Sequence, residues 1–290
     1  MKSFSNGFYI IVAIITVLWS LFSSGEQNEE KRTSFLKSGQ NTTEIQSVNL
    51  SKTMLSASES KKRLRALDKF IIQTDSKIRN RGGTGTAFYV GNNLWVTARH
   101  VINQCPKVYM AEFNQSVLIK KIFLHPNSDL AVFRHEGNVQ TPYFKRNGSD
   151  NRNTFSSGFP AGSPGDIAIS FSGYAAIENR EYNVFEKGLV FTITDRDPYH
   201  LDSIGGLSGG PTYTKTNELR GVLVAENVRR SLAIVVDMSA VNSLLLEIDP
   251  YFEKNSGDQA LSYKINNNNF STIGKKLRNN GSIRKIFCVI

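Results

Sequence analysis

Histidine and cysteine are scarce in this chain, four and two among 290 residues. No histidine stands at a ligand spacing such as H-E-x-x-H, so a metal site is not expected, and no cofactor is implied. With 8 prolines and 40% hydrophobic residues, the composition excludes collagen-like and disordered classes and suits one main globular domain with extensions. The apolar run over residues 8–22 falls short of the roughly 20 residues a bilayer-spanning helix needs. It follows Met1-Lys2-Ser3 and ends in Ser23-Ser24-Gly25, which reads as a cleaved signal peptide over residues 1–25, with a retained N-terminal anchor as the alternative. Either way the remainder is expected to be exported: secreted or periplasmic, or anchored and facing outward. The net charge of +10 is spread along the chain without Arg/aromatic interleaving, so no nucleic-acid partner is expected and the charge reads as solvated surface. Cys105 and Cys288 could pair in an exported chain and clamp the C-terminal end to the domain, or stay as thiols; the sequence leaves both open.

What is present is more telling. Gly205-Gly206-Leu207-Ser208-Gly209-Gly210-Pro211 sets a serine among glycines and leads into the strand-like Pro211-Thr212-Tyr213-Thr214. Glycines permit close backbone approach and positive φ, so a hydroxyl there can be exposed with amide N–H groups turned to the same point. Upstream lie Trp95-Val96-Thr97-Ala98-Arg99-His100 and Asp129-Leu130-Ala131-Val132. A serine hydroxyl needs a base to take its proton, and that base works best when a carboxylate fixes its tautomer. His100, Asp129 and Ser208 are the candidates for base, orienting acid and nucleophile.

These three stretches, in this order, resemble the trypsin/chymotrypsin-like serine proteases. Thr97-Ala98-Arg99-His100 matches the family's histidine motif, Asp129-Leu130-Ala131-Val132 its aspartate strand, and Gly206-Leu207-Ser208-Gly209-Gly210-Pro211 its serine motif. The resemblance implies an all-β fold of two six-stranded antiparallel barrels with a C-terminal helix, and an endopeptidase acting on protein or peptide substrates. By position it implies an oxyanion hole made of the Gly206 and Ser208 N–H groups. Leu207 departs from the aspartate that trypsin-like zymogens use to receive a new ammonium terminus, and no Ile-Val-Gly-Gly start occurs. The likeness is therefore nearer to bacterial single-chain members of the HtrA and glutamyl endopeptidase types, without activation by a terminal salt bridge. Asp202, six before the serine, falls at the floor of the family's primary specificity pocket, and Glu226 falls on its wall; two acids there would favour a cationic side chain before the scissile bond. A rival reading keeps the barrels as a catalytically silent binding or adhesion domain. Nothing in the sequence sets the oligomeric state.

Along the chain, residues 26–67 read as a polar arm or propeptide with a short helix over 53–65, residues 68–250 as the protease domain, and residues 251–290 as a basic, Asn-rich, flexible tail. Membrane contact through the anchor or this tail is conceivable. Strands are expected at 84–90 and 94–97 around the turn Gly91-Asn92-Asn93, then at 107–113, 116–124, 130–133, 154–160, 167–176, 189–194, 211–214, 220–225 and 232–236. A helix is expected over 239–247 with Ser239 as its N-cap.

Overall fold

In the computed structural model, residues 42–48, 62, 64, 66, 67, 69–71, 83–137, 139, 145, 146, 153–180, 184–252 and 264–290 are described. The signal or anchor segment and nearly all of the helix expected over 53–65 lie outside them. Among the described residues no helix is long and apolar enough to cross a membrane.

Local chemistry sets the first hairpin. Asn92 and Asn93 take positive φ (50° and 59°), which asparagine tolerates, and turn the strand Thr84–Gly91 back into Leu94–Ala98. In chain order the strands are β1 (Glu44–Ser47), β2 (Lys69–Ile71), β3 (Thr84–Gly91), β4 (Leu94–Ala98), β5 (Lys107–Glu112), β6 (Gln115–Leu118), β7 (Lys121–Leu124), β8 (Leu130–Arg134), β9 (Lys145–Arg146), β10 (Thr154–Gly158), β11 (Gly165–Asn179), β12 (Val184–Asp197), β13 (Pro211–Thr214), β14 (Glu218–Asn227), β15 (Leu232–Asp237) and β16 (Ile283–Val289). The helices are α1 (Arg99–Ile102), α2 (Met238–Ile248) and α3 (Phe270–Asn279).

Two curved sheets result. In the second, the order β10-β13-β14-β15-β12-β11 closes on itself through the β10–β11 pairing, a six-stranded barrel, with β2 and β9 added parallel at its margins. The first has the order β1-β7-β8-β4-β3-β16-β5-β6 and curls as a half-barrel instead of closing. The all-β, trypsin-like architecture is as expected, with eight strands in the first sheet in place of a closed six. One apolar cluster runs through both sheets around Trp95, Phe133, Phe155 and Tyr213, and a smaller one inside the second barrel holds Phe191, Leu207 and Val235.

The main correction concerns the expected flexible tail. Residues 264–290 are built into the domain: α3 packs on the second barrel, and β16 is inserted in the first sheet, antiparallel to both β3 and β5. Phe270, Ile273 and Leu277 fall at helical spacing and are buried, and Phe270 stacks on Phe155 with ring centres 5.8 Å apart. Arg278 is no solvated charge: its guanidinium holds the Asp166 carboxylate through two bonds of 2.7 Å. Arg284 is buried too, over the Phe113 ring at 4.2 Å. High local polarity hid an amphipathic helix and a central strand. The arm also contributes, since β1 runs parallel to β7. The strand expected over 116–124 breaks at Ile119-Lys120 into β6 and β7, and α2 is capped by Asp237, whose carboxylate accepts the Ser239 N–H at 2.9 Å, not by Ser239 itself.

Cys105 and Cys288 form a disulfide across a sequence separation of 183. It ties β16 to the segment that follows α1. Closing so long a loop restricts the unfolded chain, so Cys105→Ser with Cys288→Ser should lose about 2–4 kcal/mol of stability. Urea unfolding of the variant against the oxidised wild type checks this; coincident midpoints would show that the bridge contributes nothing.

Candidate active site

Three stretches far apart in sequence converge where the sheets meet. β4 ends at Ala98, and α1 starts at once, so His100 sits at a strand end and takes its place from strand and helix together. Asp129 closes the loop between β7 and β8 and is wholly buried. Its carboxylate Oδ2 lies 2.6 Å from His100 Nδ1, and its Oδ1 accepts the His100 backbone N–H at 2.9 Å. The Asp129 carbonyl accepts the Arg99 N–H at 3.0 Å. With Nδ1 engaged by a carboxylate, the imidazole presents Nε2 outward as its basic nitrogen. Burial pulls the imidazole's pKa down, but the Asp129 charge and hydrogen bond outweigh it and hold His100 above the ordinary histidine value of 6.5.

The Ser208 turn is pressed against β3 and the end of β4, just before His100. Ser208 C=O accepts the Thr86 N–H at 2.8 Å. Gly209 has φ +89°, and a Cβ there would lie 2.1 Å from the Thr86 carbonyl and 2.8 Å from the Ala98 nitrogen, two residues before His100. Only glycine lets the turn come so close. Among the described residues the His100 N–H and Nδ1 are both engaged by Asp129, and no hydrogen bond joins Ser208 Oγ to His100; hydrogen bonds of this kind are commonly long without substrate.

Gly206 (φ +98°) has its carbonyl held by the Thr86 hydroxyl at 2.9 Å, and Thr86 in turn accepts the Phe159 N–H at 3.1 Å. Gly205 C=O accepts the Ala161 N–H at 2.6 Å. These bonds fix the turn by its carbonyls. Among the described residues the N–H groups of Gly206 and Ser208 have no acceptor, which leaves two amide donors with one residue between them. Such a pair can hold an oxyanion. Gly206→Ala would push a methyl to 2.6 Å from the Phe159 carbonyl at an unfavourable φ. It should lower kcat by about 10²–10³-fold, the usual cost of losing one such donor. Steady-state kinetics on a peptide substrate reads this out, and a folded variant with unchanged kcat would remove Gly206 from the site.

Residues 85–222 match the family described as the trypsin-like peptidase domain. That span contains His100, Asp129 and Ser208. Residues 85–222 thus form a trypsin-like peptidase domain, of the serine-type peptidase class. Solved structures similar to this domain include the Rv3671c protease of M. tuberculosis in its active form, at 16% identity and TM-score 0.48 over 57% of this chain and 73% of that one. The MamO protease domain of Magnetospirillum magneticum is similar at 15% identity and TM-score 0.44, over 56% and 93%. The HtrA-type protease AlgW is similar at 17% identity and TM-score 0.45, over 57% and 51%. No curated protein matches the chain.

The other residues singled out in the sequence fall as follows. Leu207 is fully buried among Ile204, Phe191 and Leu223, an environment for a hydrocarbon and not for a charge partner. Asp202 is exposed on the stretch leading to the turn. Glu226 is turned inward: its Oε2 accepts the Ser203 hydroxyl at 2.7 Å and the Ile204 N–H at 2.9 Å, and its Oε1 lies 4.0 Å from the Arg196 guanidinium. Its charge is thus engaged by the loop and faced by a cation. His125 is buried and structural, with Nδ1 accepting the Asn127 N–H at 3.1 Å; burial and Arg99 push its pKa down to about 4. His135 pairs with Glu112 at 2.7 Å, and His200 is exposed beside Tyr199. Among the described residues no group of His, Cys, Asp or Glu is placed to hold a metal.

Sequence reasoning passed over Thr86, Arg196 and Glu186. Thr86 had a signal, since it lies in the first strand of the hairpin that leads to His100. Arg196 and Glu186 had none, because the Glu226 that Arg196 faces and the Ser128 and Asp129 that Glu186 holds are distant in sequence.

Proposed function

We propose that this protein is an exported serine endopeptidase that cuts protein or peptide substrates through an acyl-enzyme. The observation that carries the proposal is the buried Asp129 carboxylate on His100 Nδ1, set beside a glycine turn that leaves the Gly206 and Ser208 amides unengaged. His100 takes the Ser208 proton as Oγ attacks the substrate carbonyl, and the two amides hold the negative oxygen that forms. His100 then gives the proton to the leaving amine as the C–N bond breaks. Water, deprotonated by the same imidazole, attacks the ester and frees Ser208. Export is supported by the N-terminal apolar run and by a disulfide that an oxidising compartment preserves.

For specificity, Asp202 is the carboxylate left to meet a substrate, because Glu226 is engaged by Ser203 and Ile204 and faced by Arg196. A preference for Arg or Lys before the scissile bond follows from Asp202 alone. Cleavage of a peptide library tests both levels of the proposal. Ser208-dependent cleavage with a basic preference that relaxes in Asp202→Ser supports them. Cleavage surviving Ser208→Ala contradicts the first, and a profile unchanged in Asp202→Ser contradicts the second.

A further inference from the structure

We propose that Glu186 is a positioning residue of the peptidase, fixing Asp129 and through it His100 from the opposite half of the domain. The proposal deepens the function above and rests on the reading of His100, Asp129 and Ser208 as the catalytic groups. Glu186 belongs to β12 of the closed barrel, whereas Asp129 ends a loop of the curled sheet. Its Oε1 accepts the Asp129 backbone N–H at 2.9 Å, and its Oε2 accepts the Ser128 hydroxyl at 2.6 Å. Ser128 and Asp129 are both buried, so neither donor has water as a substitute partner.

Asp129 is thereby held from two directions. Its carbonyl and both carboxylate oxygens are bound to Arg99 and His100, residues of α1. Its N–H is bound to Glu186, the one contact among these that comes from the other sheet. Without that bond the loop can rotate about α1 and carry the carboxylate off the Nδ1 direction. A residue that sets the angle of the orienting acid alters how well the imidazole takes a proton, and leaves the surface that meets the substrate unaltered. Burial pushes the Glu186 carboxyl up to about 8, against the pull of the Ser128 and Asp129 donors and with the Asp129 charge adding to the rise. Its part is geometric: Oε1 can accept the Asp129 N–H in either protonation state, and a glutamine keeps that acceptor while its amide NH2 faces the Ser128 hydroxyl as a donor in place of Oε2.

The test compares Glu186→Ala, Glu186→Gln and Ser128→Ala in the full chain, with thermal unfolding to check folding and an active-site titration to count competent sites. A misplacement of about 1 Å near the chemistry costs up to about 10²-fold in rate. Glu186→Ala should lose about 10- to 100-fold in kcat with KM within about twofold of wild type, because only positioning is lost. Glu186→Gln should stay within about threefold of wild type, and Ser128→Ala, which removes one of two bonds, should fall between them. A folded Glu186→Ala with wild-type kcat overturns the proposal, as does a Glu186→Gln enzyme as slow as Glu186→Ala. Should Glu186→Ala not fold, a Ser128→Ala enzyme with unchanged kcat overturns it equally. Activity that survives Ser208→Ala would instead strike at the catalytic reading, a different result from any of these.

Discussion

Ser208→Ala is expected to lower kcat/KM by about 10⁴- to 10⁶-fold, and His100→Ala by a similar factor. The residual rate is what the Gly206 and Ser208 amides and substrate binding supply without a nucleophile. Asp129→Ala should cost somewhat less, because the imidazole can still act when poorly oriented. The combined variant should be no worse than Ser208→Ala alone, since three residues acting as one unit do not contribute separately. The pH profile carries the same logic. His100 must be neutral to take the Ser208 proton, and Asp129 holds its pKa above 6.5, so activity should rise with pH through a midpoint above that value. Asp129→Asn removes the charge and should move the midpoint down. Stopped assays across pH 5–9 on each variant check both statements; additive losses would show that the residues do not work together.

Removing residues 264–290 is expected to abolish folding as well as activity. β16 lies between β3 and β5, so its loss leaves two strands of the first sheet without their shared partner and separates β5 and β6 from the rest. The disulfide goes with it, and so does Arg278. Burial pushes the Asp166 carboxyl up while Arg278 pulls it back, and without the guanidinium a charge is left in a site that is only 2% exposed. Breaking such a buried pair costs about 3–5 kcal/mol. Arg278→Ala alone should therefore destabilise the protein by that order, and the truncated chain should be insoluble or fully susceptible to protease. Far-UV circular dichroism and limited proteolysis decide it. A truncated protein with wild-type spectrum and activity would mean that the C-terminal segment is an accessory.

How much of this could be read from the sequence depends on how local each feature is. The strand Pro211–Thr214 and the turn at Asn92-Asn93 are set by neighbours in the chain, and they stand where residue type puts them. The three motif stretches were legible for the same reason, each being a short run whose residues serve one local geometry. β16 was not legible, because what makes it a strand is the exposed edges of β3 and β5, some two hundred residues earlier. In α3 the apolar spacing of Phe270, Ile273 and Leu277 was present but outnumbered by asparagine and charge, and Arg278 reads as surface until Asp166 is found beneath it. Glu186 illustrates the same limit within the site. A single acid between Phe185 and Lys187 has no motif, and its meaning comes entirely from Ser128 and Asp129 on the other sheet's side of the domain.

The most direct test of the central claim is covalent labelling of the purified protein with a fluorophosphonate, followed by peptide mapping of the adduct. An activated serine in a working oxyanion site reacts stoichiometrically, and an inert hydroxyl does not. One adduct is expected, on Ser208, abolished in Ser208→Ala and strongly slowed in His100→Ala. A correctly folded wild-type protein that takes up no label, or that carries it on another residue, would contradict it.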